Sequence, residues 1–362
     1  MRILIPYDVN TTGAKNPFLF LLMRDLLKLP QVEQIQHGYG WLYEDLKPDI
    51  IHLHWPEILV KSRLSDMSQD HKLEESDFNA VTDALQTMKK NGSRICITVH
   101  NESPHKNSSS YHDFYSDVYH LCDGIIHMGK ASETIFDREF PGLADGKSSA
   151  VIPHGDYSFF PGDKSRESCR NRLGISEEEK LVVSFGAIRS KAELEMAVNA
   201  FKKADVSRGR YLMAGSLPSP YKSQLSHFTD RKILYASMFQ PAIQTYEEPI
   251  GRSDVQLFLK AADLLFIPRF NTLNSGNVAL GFTFGKVVTG PGYGVIGEML
   301  SATGNPVYDP YNIGSVAQAI QQGLELAEKK HGEINRMYAE KNLSWEKVAA
   351  DTSSFYQELM KG

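Results

Sequence analysis

The 362-residue chain lacks most of the features that would place it in a class at once. Its three cysteines, Cys96, Cys122 and Cys169, form neither a paired framework nor a metal-ligand pattern, which excludes a disulfide scaffold and fits buried or idle thiols in a reducing cytoplasm. No apolar run is long enough to span a membrane, since "PFLFLLMRDLLKLP" is broken by Arg24, Asp25 and Lys28. The opening "MRILIPYDVN" reads as a first strand rather than a signal peptide. Neither sign of charge dominates: 39 Lys and Arg against 44 Asp and Glu leave a net charge of -5, which gives no support for general nucleic-acid binding. There is no GxGxxG after the first strand, no GxxxxGK[ST], and no Asp-x-Asp at a strand end. Dinucleotide oxidoreductases, P-loop enzymes and metal-bridged nucleotide-sugar sites thereby lose their main sequence support. Any diphosphate is expected to be held without a metal, and no cofactor is called for.

What is present is a recurring alternation. "RILIPY", "DIIHLHW", "RICITVH", "GIIHM" and "AVIPHG" are short apolar runs separated by amphipathic stretches, the pattern of buried parallel strands with crossover helices. After a polar segment at about 157–178, expected to be a linker, the pattern resumes with "KLVVSFGAI", "GRYLMAG", "KILYAS" and "DLLFIP". The fold class is therefore α/β, with two Rossmann-like doubly wound domains. An N-terminal domain is expected over 1–160 and a second over 161–344. Trp345, Val348, Phe355, Tyr356 and Leu359 recur at helical spacing and predict a closing amphipathic helix over 345–362. The polar stretches at 62–78 and 103–114 read as loops of the first domain.

The stretch "IPRFNTLNSGNVALGFTFGKVV", from Ile267, reads as the end of a strand, a polar loop, a helix capped by Ser275, and another strand. Free N–H groups at such a helix start, with Gly276 admitting close approach, suit a phosphate; a plain cap is the simpler alternative. Arg189 and Lys191, just after Gly186 in "SFGAIRSK", are two cations able to meet a diphosphate, or else solvated surface charges. In the first half, "HLHWPE" supplies His54, Trp55 and Glu57, and "TVHNESPH" supplies His100, Glu102 and His105. His52 and His54 share a strand face and could be hydrogen-bonded core residues. His100 leaves the sheet where a ring can face ligand. The spacings match no compact zinc pattern.

These segments together resemble the GT-B glycosyltransferases, in particular the bacterial group 1 (GT4-type) exopolysaccharide and cell-envelope transferases, over almost the whole chain. "NPFLFLLMRDL", "DIIHLHWPE" and "TVHNESPHKN" resemble that subgroup's N-domain. "VIPHGDY" resembles its interdomain segment, "FGAIRSK" its phosphate turn, and "AADLLFIPRFNTLNSGNVALGFTFGKVVTGPGYGVIGEM" its donor block. The resemblance implies two domains facing across a cleft, with the last helix crossing back to the first. It implies a nucleotide sugar, UDP- or GDP-linked, on the C-terminal domain and a glycan or lipid-linked saccharide acceptor on the other. Arg189 would meet the diphosphate and the main chain at Ser275, Gly276 and Asn277 its oxygens, with Arg269, Asn271, Thr272, Asn274 and Gly186 around the donor. His100 would face the sugar, with Lys191 and Glu102 beside the chemistry and Asn16, His54, Trp55, Glu57 and His105 on the acceptor side.

The departures are specific. Two glutamates usual in the donor block fall on Thr272 and Leu280, and the usual lysine of the phosphate turn falls on Ala192, with Lys191 one residue early. The expected function is transfer of a hexose, with retention, in polysaccharide or cell-envelope synthesis. Cytoplasmic placement with peripheral contact at the inner membrane face suits a lipid-linked acceptor. A non-catalytic nucleotide-sugar-binding partner subunit and a GT-B epimerase stay open as alternatives.

Overall fold

The structure is a computed structural model that describes residues 1–9, 17–38, 40–42, 46–63, 75–102, 109–218 and 242–362. Its contacts divide the chain into two compact units, Met1–Gly155 with Leu343–Gly362, and Asp156–Asn342.

The first unit runs β1 (Arg2–Ile5), α1 (Phe18–Leu26), β2 (Gln34–His37), β3 (Ile50–Leu53), α2 (Pro56–Arg63), α3 (Glu75–Lys90), β4 (Arg94–Val99), α4 (Ser109–Leu121), β5 (Gly124–His127), α5 (Lys130–Glu139) and β6 (Ser148–Val151). All strands pair in parallel, in the order β2-β1-β3-β4-β5-β6. Strands β3 and β5 are buried at every residue, as expected for strands covered by helices on both faces. The polar stretches read as loops are helical at 75–78 and at 109–114, where α3 and α4 bury Asp77 and Phe114.

The second unit runs α6 (Arg166–Leu173), β7 (Lys180–Phe185), α7 (Lys191–Ala204), β8 (Gly209–Ala214), β9 (Ile243–Tyr246), α8 (Val255–Ala261), β10 (Leu264–Phe266), α9 (Gly276–Thr283), β11 (Val287–Pro291), α10 (Gly294–Ala302), β12 (Val307–Tyr308), α11 (Ile313–Glu328) and α12 (Gly332–Asn342). Its parallel sheet has the order β12-β11-β10-β7-β8-β9. Val182, Tyr211 and Phe266 from the sheet pack with Ala197 and Phe201 of α7 and Ile320 and Leu324 of α11 into one core. The strand expected at "KILYAS" lies outside the described residues.

The segment at 157–178 is not a free linker. Its helix α6 docks on α8 because Arg170, fully buried, donates to the carbonyls of Ala261 at 3.1 Å and Glu179 at 2.9 Å and to Asp263 at 2.7 Å. A polar, charged sequence hides this packing, since the arginine covers the open carbonyl end of a neighbouring helix.

The closing helix, α13 (Trp345–Lys361), belongs to the first unit. Trp345, Val348, Phe355, Tyr356 and Leu359 are all buried on one face, and Phe18 of α1 meets the Trp345 indole edge-on at 5.4 Å. Gln31 also donates to Ser353 at 2.8 Å. Gly155 lets the chain pass under the indole: a Cβ there would fall inside the ring of Trp345. Since Phe18 and His154 hold that ring on other sides, Gly155→Ala is expected to destabilise the unit by about 1–3 kcal/mol through overpacking. Urea unfolding checks this, and Trp345→Phe in the same background should recover part of the loss. An unchanged midpoint in Gly155→Ala would reject this seating of the last helix.

Candidate functional site

In the second unit β7 and β10 are neighbours in the sheet although they are far apart in sequence, so the strand order reverses between them. Loops leaving such a pair diverge and open a crevice at the carboxyl ends of the strands. The loop after β7 turns at Gly186, whose φ is +90°, beside Gly215, where φ is +147°. A Cβ on Gly215 would run into the Gly186 carbonyl, so that glycine is needed for the two backbones to pass, while Gly186 is favoured by its positive φ. Gly186 N–H donates to Ala214 O at 2.8 Å and Ile188 N–H to Ser216 O at 2.9 Å. Ser190 then caps α7, accepting from Glu193 N–H at 3.1 Å.

Glu193 reaches back from α7 and joins the two loops. Its carboxylate accepts from Arg189 N–H at 2.7 Å and from the Arg269 guanidinium at 3.0 Å. Arg269, expected to contact donor, is instead 7% exposed and also donates to Ala187 O at 2.6 Å and Pro268 O at 3.2 Å. Burial pushes its pKa down and Glu193 opposes the shift. Its main chain is gripped as well, Arg269 N–H donating to the Tyr308 hydroxyl at 3.1 Å. The correction is physical: a guanidinium with carboxylate and carbonyl partners inside the protein is a brace.

Helix α9 starts where the sequence predicts. Ser275 caps it, accepting from Asn277 N–H at 3.3 Å, and Asn277 donates its side-chain amide to Phe185 O at 2.7 Å, tying the helix start to the end of β7. With the Asn277 N–H and side chain both engaged, the helix start keeps the main-chain N–H groups of Ser275 and Gly276 without a partner among the described residues. Phe284 is its C-terminal cap. Arg189 is exposed, and its guanidinium forms no ion pair among the described residues. Lys191 is exposed in the first turn of α7, 3.9 Å from Glu195. Asn271 is exposed, while Thr272 and Asn274 are half-buried. Leu280 is buried on the inner face of α9.

In the first unit the strand order reverses between β1 and β3, and here the histidines gather. His52 Nδ1 is 2.6 Å from the Tyr356 hydroxyl and Nε2 is 2.8 Å from Thr98 Oγ1, so this ring is a fully bonded core residue. His54 Nδ1 is 2.9 Å from His100 Nε2. The Tyr7 hydroxyl accepts from the main-chain N–H groups of His54 at 2.9 Å and Trp55 at 3.0 Å. Trp55 stacks on His100 with centroids 4.2 Å apart and planes at 26°, and Phe18 meets His100 and His154 edge-on, each at 5.0 Å. Glu57, at the start of α2, is buried and accepts from Tyr115, whose pKa is raised by burial and by that carboxylate. Glu102 pairs with Arg138 at 2.6 Å. Asn16 and His105 lie outside the described residues.

Glu193, Tyr7 and Tyr308 were missed by the sequence reading. The Ser190-x-x-Glu193 spacing is a capping-box signal that could have flagged Glu193; the tyrosines act across the fold and carry no local sign. Among the described residues no three His, Cys, Asp or Glu side chains are grouped to hold a metal ion, and no helix is long and apolar enough to cross a membrane.

No protein-family model matches the chain, and no curated protein matches it in sequence. Solved structures do match over nearly its full length. Sucrose-phosphate synthase from Thermosynechococcus elongatus aligns with a TM-score of 0.73 at 12% identity, covering 99% of each chain. Anabaena HepE, in complex with UDP and glucose, aligns at 0.67 with 13% identity over 99% of this chain and 100% of its own. WaaG, a glycosyltransferase involved in lipopolysaccharide biosynthesis, aligns at 0.59 with 14% identity over 96% and 98%. At these identities the likeness is one of fold. The chain has the GT-B glycosyltransferase fold, with its last helix returned to the first unit.

The imidazoles of the first unit make its stability depend on pH. Burial pushes His52 down to about 3 and His127 down to about 4, and it also lowers His54, His100 and His154. Each folded value lies below the unfolded one near 6.5, so the unfolded chain binds protons first. Stability is whole above about pH 6.5 and is lost as pH falls toward the folded values. At about pH 5, each imidazole still neutral in the fold costs about 2 kcal/mol. All three tryptophans, Trp41, Trp55 and Trp345, belong to this unit, so their fluorescence reads its unfolding. The urea midpoint is expected to drop markedly between about pH 7 and about pH 5; equal midpoints would mean that the rings are not held neutral.

Proposed function

We propose that the chain is a glycosyltransferase that moves a hexose from a UDP- or GDP-linked sugar to a hydroxyl of a glycan or lipid-linked saccharide, without a metal and with retention. The observation that carries this is the braced pair of loops at the strand reversal of the second unit. They leave one exposed guanidinium, Arg189, and one helix start with open N–H groups, at Ser275 and Gly276, beside the carboxyl ends of β7 and β10. Anions are stabilised at such helix starts and by arginine forks. HepE, which shares the fold, has been crystallised with UDP-glucose, and starch synthase IV from Arabidopsis thaliana with ADP and acarbose.

In this reading Arg189 and the α9 start stabilise charge on the leaving diphosphate, which accelerates cleavage of the sugar–phosphate bond. A departing phosphate oxygen takes the acceptor's proton. That route needs no dedicated base, whereas inversion would need one from His100, Glu102 or Glu57, of which Glu57 accepts from Tyr115 and Glu102 pairs with Arg138. His100 is assigned to the transferred sugar and Trp55 to the acceptor side, where His54 and Glu57, both buried, act only through their neighbours. With a lipid-linked acceptor the enzyme would work at the inner face of the membrane. One observation favours a second reading, a partner subunit that binds nucleotide sugar without turnover: Leu280, where a carboxylate is usual in the resembling family, is buried.

Calorimetric titration with UDP, GDP and ADP, first in EDTA and then with magnesium, tests the reading. One nucleotide should bind with affinity unchanged by the metal, and Arg189→Ala should weaken it by roughly tenfold or more with no loss of thermal stability. Binding of none of the three overturns the proposal, while binding without turnover of any matching sugar nucleotide selects the partner subunit.

A further inference from the structure

His54 has an arrangement that a core role does not account for. It is 2% exposed, yet its Nε2 has no hydrogen-bond partner among the described residues, while its Nδ1 is spent on His100. A phenylalanine would fill similar space without burying an unsatisfied nitrogen, which is costly. A ring that keeps this penalty earns its place only through the nitrogen that is bonded. The neighbours of the pair work the same way. Tyr7 fixes the main chain of His54 and Trp55, the Trp55 indole lies flat on His100, and Phe18 closes on the edges of both imidazoles. Two other titratable rings lie against His54: Tyr7, at 6.0 Å, and His52, at 4.1 Å, whose two nitrogens are engaged by Tyr356 and Thr98. His154 meets the cluster through Phe18 and is held by Gly155 O at 2.7 Å.

Two neutral imidazoles that share one hydrogen bond must divide the roles, one donating and one accepting. If His100 donated from Nε2, His54 would carry its proton on Nε2, leaving a buried N–H without an acceptor. If His54 donates from Nδ1, the unpaired atom is only a lone pair, and orphaned N–H groups are the rarer of the two in folded proteins. We infer that His54 is a positioning residue: it donates from Nδ1 to His100 Nε2, fixes the plane of that ring, and holds His100 with its proton on Nδ1, so that His100 acts as a donor from that nitrogen. The inference deepens the reading in which His100 meets the transferred sugar, and rests on it for its catalytic consequence alone. A donor at fixed angle selects a sugar hydroxyl oxygen in one orientation; a ring free to flip or exchange tautomers would not.

The test is nitrogen-15 NMR of the imidazoles in the free protein, with His100 assigned by loss of its signals in His100→Asn. Wild type should show His100 protonated on Nδ1 alone. His54→Phe should show a mixture of tautomers, and His54→Asn, whose side-chain amide can still donate where Nδ1 stood, should restore the single form. His100 unchanged in His54→Phe, or protonated on Nε2 in wild type, overturns the inference. Under the transferase reading, His54→Phe should lower kcat by about tenfold with donor KM within about twofold, and His54→Asn should recover most of it. A changed tautomer with unchanged turnover supports the positioning role and overturns the assignment of His100 to the sugar, so the two failures are distinct.

Discussion

The buried ion pair between Glu193 and Arg269 is the contact on which the second unit's candidate site depends. It joins the loops that leave β7 and β10, and it does so from both sides, because Glu193 also holds the Arg189 main chain and Arg269 also holds Ala187 and Pro268. Removing either partner of such a pair strands the other in a dry setting, at about 3–5 kcal/mol. With the pair in place, Arg189 begins its side chain from a fixed point and the start of α9 is pinned to the end of β7 through Asn277. The internal charges are used up on one another, and the charge and N–H groups left over point to an anion.

The first unit is organised on a different principle. Its strand reversal gathers imidazoles, tyrosine hydroxyls and indole rings, and burial there lowers the pKa of His52, His54 and His100. Hydrogen bonds between neutral groups are directional without strong fields. The contrast matches the division of labour proposed here, a charged donor on one unit and a hydroxyl-bearing acceptor on the other.

Much of the site was legible locally. The Ser275 cap, the Gly186 turn and the cations after it each act through their own few residues, and so leave a mark in sequence. The resemblance placed Arg269 around the donor; nothing nearby in sequence shows that Glu193, on α7, has claimed it. His54 looked like half of an alternating strand pattern, and its bond to His100 spans two strands.

The strands divide in the same way. Runs such as those of β3, β4, β7 and β10 are mostly apolar and almost wholly buried because helices cover both faces, and that burial leaves its mark in the sequence. β2, β9 and β12 lie at sheet margins, are only partly buried, and read as nothing in particular: "QIQH", "IQTY" and "VY". Composition and periodicity alone thus determined an α/β chain of two Rossmann-like halves, with glycine turns and helix starts at the strand ends. Tertiary structure decided the rest: which strands border the reversals, which arginine is a brace and which is exposed, and which histidine backs another. Those outcomes depend on what lies across the sheet, and pairing between distant residues has no local signature.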